Sequence, residues 1–510
     1  MKKIVKIDEI SKEELYKLYL KEVEKNEKLE ASFKALQIKN QENLQTIINL
    51  VEDSKIKRVT QFVPKTERNI VDNTFNEAEV EIKKETIKTK RRVGRPKGSK
   101  NFDLSYFENN HKEVIVLKPD ELKEQNNLVH IGDVVTYKIE YNAPECRIIK
   151  IISEKYINKE TNRIYQKANK DDPYPHSICT PSLASNIITN KFVLGIPYYR
   201  QEQYLFNKEV EISRQNLCNY QIRTSELLKP FYIYLKELLI KNQVKVIHAD
   251  ETTLNVLEVN NKNQCYLWLY TSSFYDYPIY IYEYQRSRSA NNPKQFLKDY
   301  NGWLVTDAYD GYNNIPNVKN SYCWVHARRN FTDILKSLSE KQRSESKSYI
   351  IVNKIDKLFE FERKFRNERY TASKILQLRN DGEYKVTLDS LFNILETSNS
   401  EKGSALEKAI NYILNRKEKF LNFLNDGHLD LSNNISERAI KPFVIARKNF
   451  LFSNTENGAS SSTILFSIIQ TARANGLDPT KYLEYLIKNI STITNFEKLL
   501  PWKLKNNFKL

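Results

Sequence analysis

Three acidic residues in this chain stand where carboxylates could be held rigidly enough for catalysis. Asp250 ends the apolar run Val244-Lys245-Val246-Ile247-His248-Ala249, and Asp307 ends a second, Gly302-Trp303-Leu304-Val305-Thr306. Glu437 lies at the start of a helical pattern, Asn433 to Pro442, that is otherwise crowded with cations and spaces Ile435, Ala439 and Ile440 for one buried face. A lone carboxylate in a basic setting points to a metal and a phosphate. Two divalent ions about 4 Å apart can activate a water and stabilise the leaving oxygen during in-line attack on a phosphodiester, and they need hard carboxylate oxygens on rigid elements. Each acid has a competing reading. Glu251 adjoins Asp250, and successive strand side chains point to opposite faces, so only one of the two can face the metals. Asp310 competes with Asp307 but better suits the Asp310-Gly311 turn, and Glu437 could instead pair with Arg438 or Lys441 on the surface.

The residues around all three acids resemble the transposases of the insertion-sequence-66 family, Asp-Asp-Glu enzymes with a ribonuclease-H-like core. The matching blocks are His248-Ala249-Asp250-Glu251-Thr252, Asp307 to Asn313, Cys323-Trp324-Val325-His326-Ala327-Arg328-Arg329-Asn330-Phe331, Asn433 to Phe452, and Thr471 to Pro479. Segments similar to Tyr198-Tyr199-Arg200-Gln201-Glu202 and Ile212-Ser213-Arg214 precede the family's core, so the likeness runs from about residue 120 to 490. The resemblance selects Asp250, Asp307 and Glu437 as catalytic residues and as ligands of two magnesium or manganese ions. It implies hydrolysis at the ends of a DNA element to free 3′ hydroxyls, followed by their attack on target DNA. The partners it implies are element ends and target DNA, a second copy of the chain, and accessory proteins of the same element.

The elements that must hold these residues can be read in outline. A strand to Asp250, hairpin strands Gln264 to Thr271 and Tyr277 to Tyr284, a helix from Pro293 to Tyr300, a strand to Thr306 and a strand Ser321 to Val325 before a helix follow the order of a ribonuclease-H-like fold. The expected class is therefore α/β. Residues 244–332 form the first part of the catalytic core, 333–430 a polar helical insertion, 431–490 the rest of the core, and 491–510 a C-terminal tail. Upstream, residues 181–243 read as helical, broken at Gly195-Ile196-Pro197, with a helix starting near Ser213-Arg214 and serving either DNA contact or packing. Residues 111–180 read as a small β module where family members usually carry a zinc site. Here Cys146 and Cys179 stand alone and His130 and His176 have no ligand spacing, so no zinc is expected.

Residues 1–53 contain no Gly or Pro after Glu13, and seven of eleven positions at alternating steps of four and three are apolar: Leu15, Tyr19, Leu29, Phe33, Leu36, Ile47 and Leu50. That pattern suits a coiled coil; a charged helix docking on its own protein is the other reading. Residues 54–110 read as a basic linker, in which Arg92-Val93-Gly94-Arg95-Pro96-Lys97-Gly98-Ser99-Lys100 resembles an AT-hook, with Arg95 and the flanking cations Arg92 and Lys97 placed to enter a narrow A·T minor groove. Further DNA-binding candidates are Arg328 and Arg329, whose alternative is a bridge to insertion carboxylates, and Arg447 and Lys448 near Glu437. His326 is a supporting candidate, either orienting the phosphate or water or serving as a buried structural histidine.

Composition agrees with a polyanionic partner, since 81 Lys and Arg against 64 Asp and Glu give a net charge of +17. Five scattered cysteines form no disulfide framework and suit a reducing compartment. No apolar run approaches the ~20 residues of a membrane span, and the opening Met1-Lys2-Lys3-Ile4 begins no signal peptide. A cytoplasmic protein without membrane contact is expected.

Overall fold

The computed structural model describes residues 11–62, 155–157, 164–166, 172–175, 177–241, 244–259 and 264–504. The chain forms two compact units, Glu81–Ala168 and Met1–Val80 with Asn169–Leu510. In the first, the described part is an antiparallel pair, β1 (Lys155–Ile157) and β2 (Ile164–Gln166), with Tyr156 opposite Tyr165. The AT-hook-like segment and most of the 111–180 module lie outside the described residues.

The second unit is built on a five-stranded sheet. Its strands are β3 (Val246–Asn255), β4 (Gln264–Ser272), β5 (Tyr280–Gln285), β6 (Gly302–Thr306) and β7 (Val318–Tyr322), in the order β5-β4-β3-β6-β7. β3, β4 and β5 form an antiparallel meander, whereas β3, β6 and β7 run parallel. Parallel strands need a crossover, and the short helix Asn291–Phe296 between β5 and β6 supplies it. The central strands are buried on both faces, which is why β4 reads as the nearly unbroken apolar run Cys265 to Tyr270. β3 runs five residues beyond Asp250, so that acid lies within a strand and not at its end. Only its parallel ladder with β6 stops short of the acid, at His248 opposite Val305. β7 also ends earlier than its apolar letters suggest, because Trp324 already opens the next helix.

Helices cover the sheet. Arg214–Lys241 packs against Glu456–Ala474, with Gln221 Nε2 2.6 Å from Ser461 Oγ, so the upstream helical region has a packing role in this unit. The break before Tyr198 is real: Gly195 has φ +69° and lies so close to Asn449 that a Cβ would meet its side-chain amide at 2.5 Å. Residues 172–180, expected in the β module, belong to this body instead. Tyr174 is fully buried with its hydroxyl 2.6 Å from Thr224 Oγ1, and the Cys179 thiol sits in the core, where burial pushes it up to about 12.

Residues 340–421 are helical and have their own apolar core. Six helices from Glu340 to Leu421 enclose Trp324, Ile351, Ile355, Leu358, Leu391 and Phe420. At its centre Arg379, 2% exposed, makes a two-pronged pair with Glu362 and donates to the carbonyls of Phe423 and Leu429. The first helix is a single span, Lys12–Phe62, which carries helical structure nine residues into the expected linker. Its docked side combines Ile56, packed on the insertion core, with polar contacts: Gln45 reaches Glu401, Asn49 donates to the Lys402 carbonyl at 2.9 Å, and Asp53 pairs with Lys408 at 2.8 Å. All seven apolar positions of the heptad-like series are exposed. The C-terminal segment packs rather than trailing, for Leu499 is buried and its carbonyl accepts from Tyr482. Among the described residues no helix is long and apolar enough to cross a membrane.

Candidate active site

The ladder register puts Asp250 and Asp307 side by side. His248 faces Val305 on neighbouring parallel strands, and each acid follows its paired residue by two, just past the point where that ladder stops. Glu437 comes from far away in sequence, in the first turn of the helix Asn434–Phe450. Asn433, just before that helix, places it. Asn usually caps its own helix through its side chain; here the side chain makes no such bond and crosses to β3 instead. Its Nδ2 donates to the Ala249 carbonyl at 2.8 Å, its Oδ1 lies 3.1 Å from His248 Nδ1, and its backbone N–H points at Cys323 Sγ at 3.1 Å. The residue before Asp250 is thus bolted to the residue before the Glu437 helix. Further along, Tyr282 donates to the Ala439 carbonyl and Phe443 packs on Phe466.

Asp250 feels the charges of the acids around it. Burial pushes the Asp250 carboxyl well above the usual carboxylate range, and the charges of Glu251, Glu437 and Asp307 push in the same direction. Glu251 does point to the other side, as the pleat requires. It receives Tyr312 Oη and the Arg288 guanidinium, whose Nε lies 2.7 Å from Oε1, and Arg288 in turn stacks over the Tyr309 ring at 3.9 Å. Burial raises Glu251 too, against the lowering effect of Tyr312 and Arg288. Beside the Asn433 anchor, His248 Nε2 lies 3.3 Å from Asp430, which also accepts from Arg366 at 2.7 Å. Burial alone would raise Asp430, but Arg366 and His248 outweigh it and hold the carboxyl at about 2.

The other candidates divide. His326 stands beside Glu437, Nδ1 to Oε1 3.7 Å. Arg329 and Lys448 are exposed. Arg328, expected at DNA, is instead buried and held by both oxygens of Asp356 in the insertion, with Nη2 2.9 Å from Oδ2. That is the bridging alternative, and it takes the guanidinium away from the surface. Arg447 likewise turns inward, donating to Thr253 Oγ1 at 3.0 Å and to the Thr253 carbonyl, so it fastens the end of the Glu437 helix to β3. Asp310 starts a short turn with Gly311 and Tyr312.

Comparison with known proteins now bears on these positions. Residues 176–461 match the family model described as "Transposase IS66 family", and residues 467–502 match "IS66 C-terminal element". The chain belongs to the IS66 transposase family. The matched stretch includes Asp250, Asp307, Glu437 and the whole helical insertion. Similar proteins of Sinorhizobium fredii are the uncharacterized protein y4qI, 26% identical over 90% of this chain and 89% of its own length, and y4jD, 30% identical over 64% and 66%. A transposase role and a divalent metal follow from the family at this coarse level.

Reading by spacing missed Asn433. An Asn before a helical pattern signals a cap, but nothing in sequence says that its amide will reach a strand more than 180 residues upstream. We expect Asn433→Ala to reduce turnover roughly 10- to 100-fold, since about 1 Å of misplacement costs on that order, while DNA affinity changes less than about twofold. Single-turnover cleavage beside equilibrium DNA binding measures both; turnover within twofold of the parent would show that Glu437 is positioned without this anchor.

Proposed function

We propose that the chain is a DNA transposase that cleaves the ends of its element and joins the freed 3′ hydroxyls to target DNA. In this reading Asp250, Asp307 and Glu437 are the catalytic carboxylates on a ribonuclease-H-like core. The observation that carries it is the Asn433 anchor, which ties the start of the Glu437 helix to Ala249, so that the charges of Glu437 and Asp307 both act on Asp250. The strand order, a three-stranded antiparallel meander followed by two parallel strands on the far side of the first, supports the fold assignment.

The donor set fits hard divalent ions. Buried carboxylates that repel one another, as around Asp250, are relieved by a cation, and oxygen donors suit magnesium or manganese. Asp250 and Asp307 would hold the metals, with Glu437 completing the second position. Two such ions supply activation of the attacking hydroxyl and charge stabilisation at the leaving oxygen. The chain's own contribution is positioning. Glu251 holds Arg288, which feels the Asp307 charge and whose partly exposed guanidinium is available to a DNA phosphate. His326 orients groups at Glu437, and Arg329 and Lys448 extend the cationic surface. The exposed apolar series on Lys12–Phe62 supports pairing with a second copy. Accessory proteins of the element and a cytoplasmic setting complete the proposal.

The test is incubation of the full chain and magnesium with duplexes bearing the inverted repeats that flank its gene. Strand-specific 3′ hydroxyl ends and joined products are expected. Cutting without joining would reduce the reading to a nuclease, and binding without cutting to a silent DNA-binding descendant. For the linker, Arg95→Ala with Lys97→Ala should weaken binding to A·T-rich duplexes more than to G·C-rich ones, because a guanidinium gains most in a narrow minor groove. Equal losses at one fixed salt concentration would make the segment a simple electrostatic tether.

A further inference from the structure

The Glu437 carboxylate has a second set of neighbours that the hard-metal reading does not use. Cys323 closes β7 and precedes the helix Trp324–Ser337, His326 lies in the first turn of that helix, and Glu437 lies in the first turn of the helix anchored alongside. The Cys323 sulfur, a His326 ring nitrogen and a Glu437 oxygen all lie within 4.8 Å of one another. We propose that Cys323, His326 and Glu437 form a binding site for a soft divalent cation of the zinc class. Through Glu437 this site competes with the magnesium-type pair, so that the cation inhibits cleavage.

Several features favour that ligand. Atoms bound to one four-coordinate zinc at about 2.0–2.3 Å lie roughly 3.3–3.8 Å apart, so this cluster is within about an ångström of a coordinating arrangement. His326 Nδ1 and Glu437 Oε1 already stand 3.7 Å apart. The scaffold is rigid where it matters: Cys323 is 1% exposed and its sulfur receives the Asn433 N–H, the same contact that anchors the Glu437 helix. A thiolate with an imidazole selects zinc over magnesium, which takes oxygen ligands. On binding, a metal–sulfur bond forms, the thiol proton passes to solvent, and thiolate and carboxylate together neutralise the ion. Three side chains leave a fourth position open. This site lies outside residues 111–180, and its third ligand arrives only through tertiary structure.

The inhibitory consequence rests on Glu437 being a catalytic carboxylate, but the binding site does not, and the experiment separates the two. Cobalt(II) titrated into the full chain should give a thiolate-to-cobalt charge-transfer band saturating at one ion per chain, bleached by zinc. The band should be lost in Cys323→Ser, which keeps an acceptor for the Asn433 N–H, and equally in Cys323→Ala, which removes the sulfur without burying a hydroxyl. With each variant's zinc inhibition measured relative to its own magnesium-dependent rate, both should need at least about tenfold more zinc for half-inhibition than the parent, the scale of losing one strong ligand. No thiolate band in the parent, or a band undiminished in both variants, overturns the site. Equal zinc inhibition of parent and variants overturns the competition. A parent that shows the band but never cleaves upholds the site and counts against the catalytic reading instead.

Discussion

Asp250→Asn, Asp307→Asn and Glu437→Gln should each lower magnesium-dependent cleavage by on the order of a thousandfold or more, the upper end of what one preorganised charge-stabilising group contributes. DNA affinity should stay within about twofold, because each change removes a charge at the sheet end and leaves the basic surface alone. Stability gives an independent control. Burial and three neighbouring acids raise the Asp250 carboxyl, so its ionised form is disfavoured in the folded chain. A group shifted upward contributes least once the pH exceeds its folded value, so the neutral amide should leave thermal stability at pH 7 unchanged or higher. Loss of cleavage with retained melting temperature is therefore the signature of a ligand, whereas loss of both would signal misfolding. Any single variant that still cleaves at the parental rate removes that acid from the site.

The largest stability effect belongs to Arg379→Ala. The substitution leaves Glu362 as an unpaired buried charge and strips a donor from the carbonyls of Phe423 and Leu429. Breaking a buried pair by removing one partner costs about 3–5 kcal/mol, read here as a lowered denaturant midpoint for the helical insertion. Replacing both members, Arg379→Met with Glu362→Met, should recover part of the loss but not all, since the two carbonyls remain without the guanidinium. Full recovery would show that the charge of Glu362 alone carried the penalty, and a loss below about 1 kcal/mol for Arg379→Ala would show that the insertion does not depend on this pair.

Much of this protein is determined by sequence on its own, for reasons that are local. Apolar runs two residues in period or unbroken mark β3, β4 and β6, because a strand buried on both faces has little choice of side chain. Gly195 and Gly476, both at positive φ, and Asp478-Pro479 at a helix start mark helix ends because few residues suit those positions. The family blocks likewise lie in the chain as letters. Tertiary structure alone decided where those letters meet. β3 continues past Asp250 because an antiparallel partner, β4, goes on bonding after the parallel one stops. Arg328 was legible as a cation that could bridge to an insertion carboxylate, but not that the carboxylate is Asp356, and nothing in the letters turns Arg447 toward Thr253, since a charge is a property of a residue and a contact is a property of a distance. Neither Asn433 reaching Ala249 nor Cys323 and His326 standing beside Glu437 leaves any trace in spacing, because these contacts join residues more than 100 positions apart and exist only where packing brings their elements together.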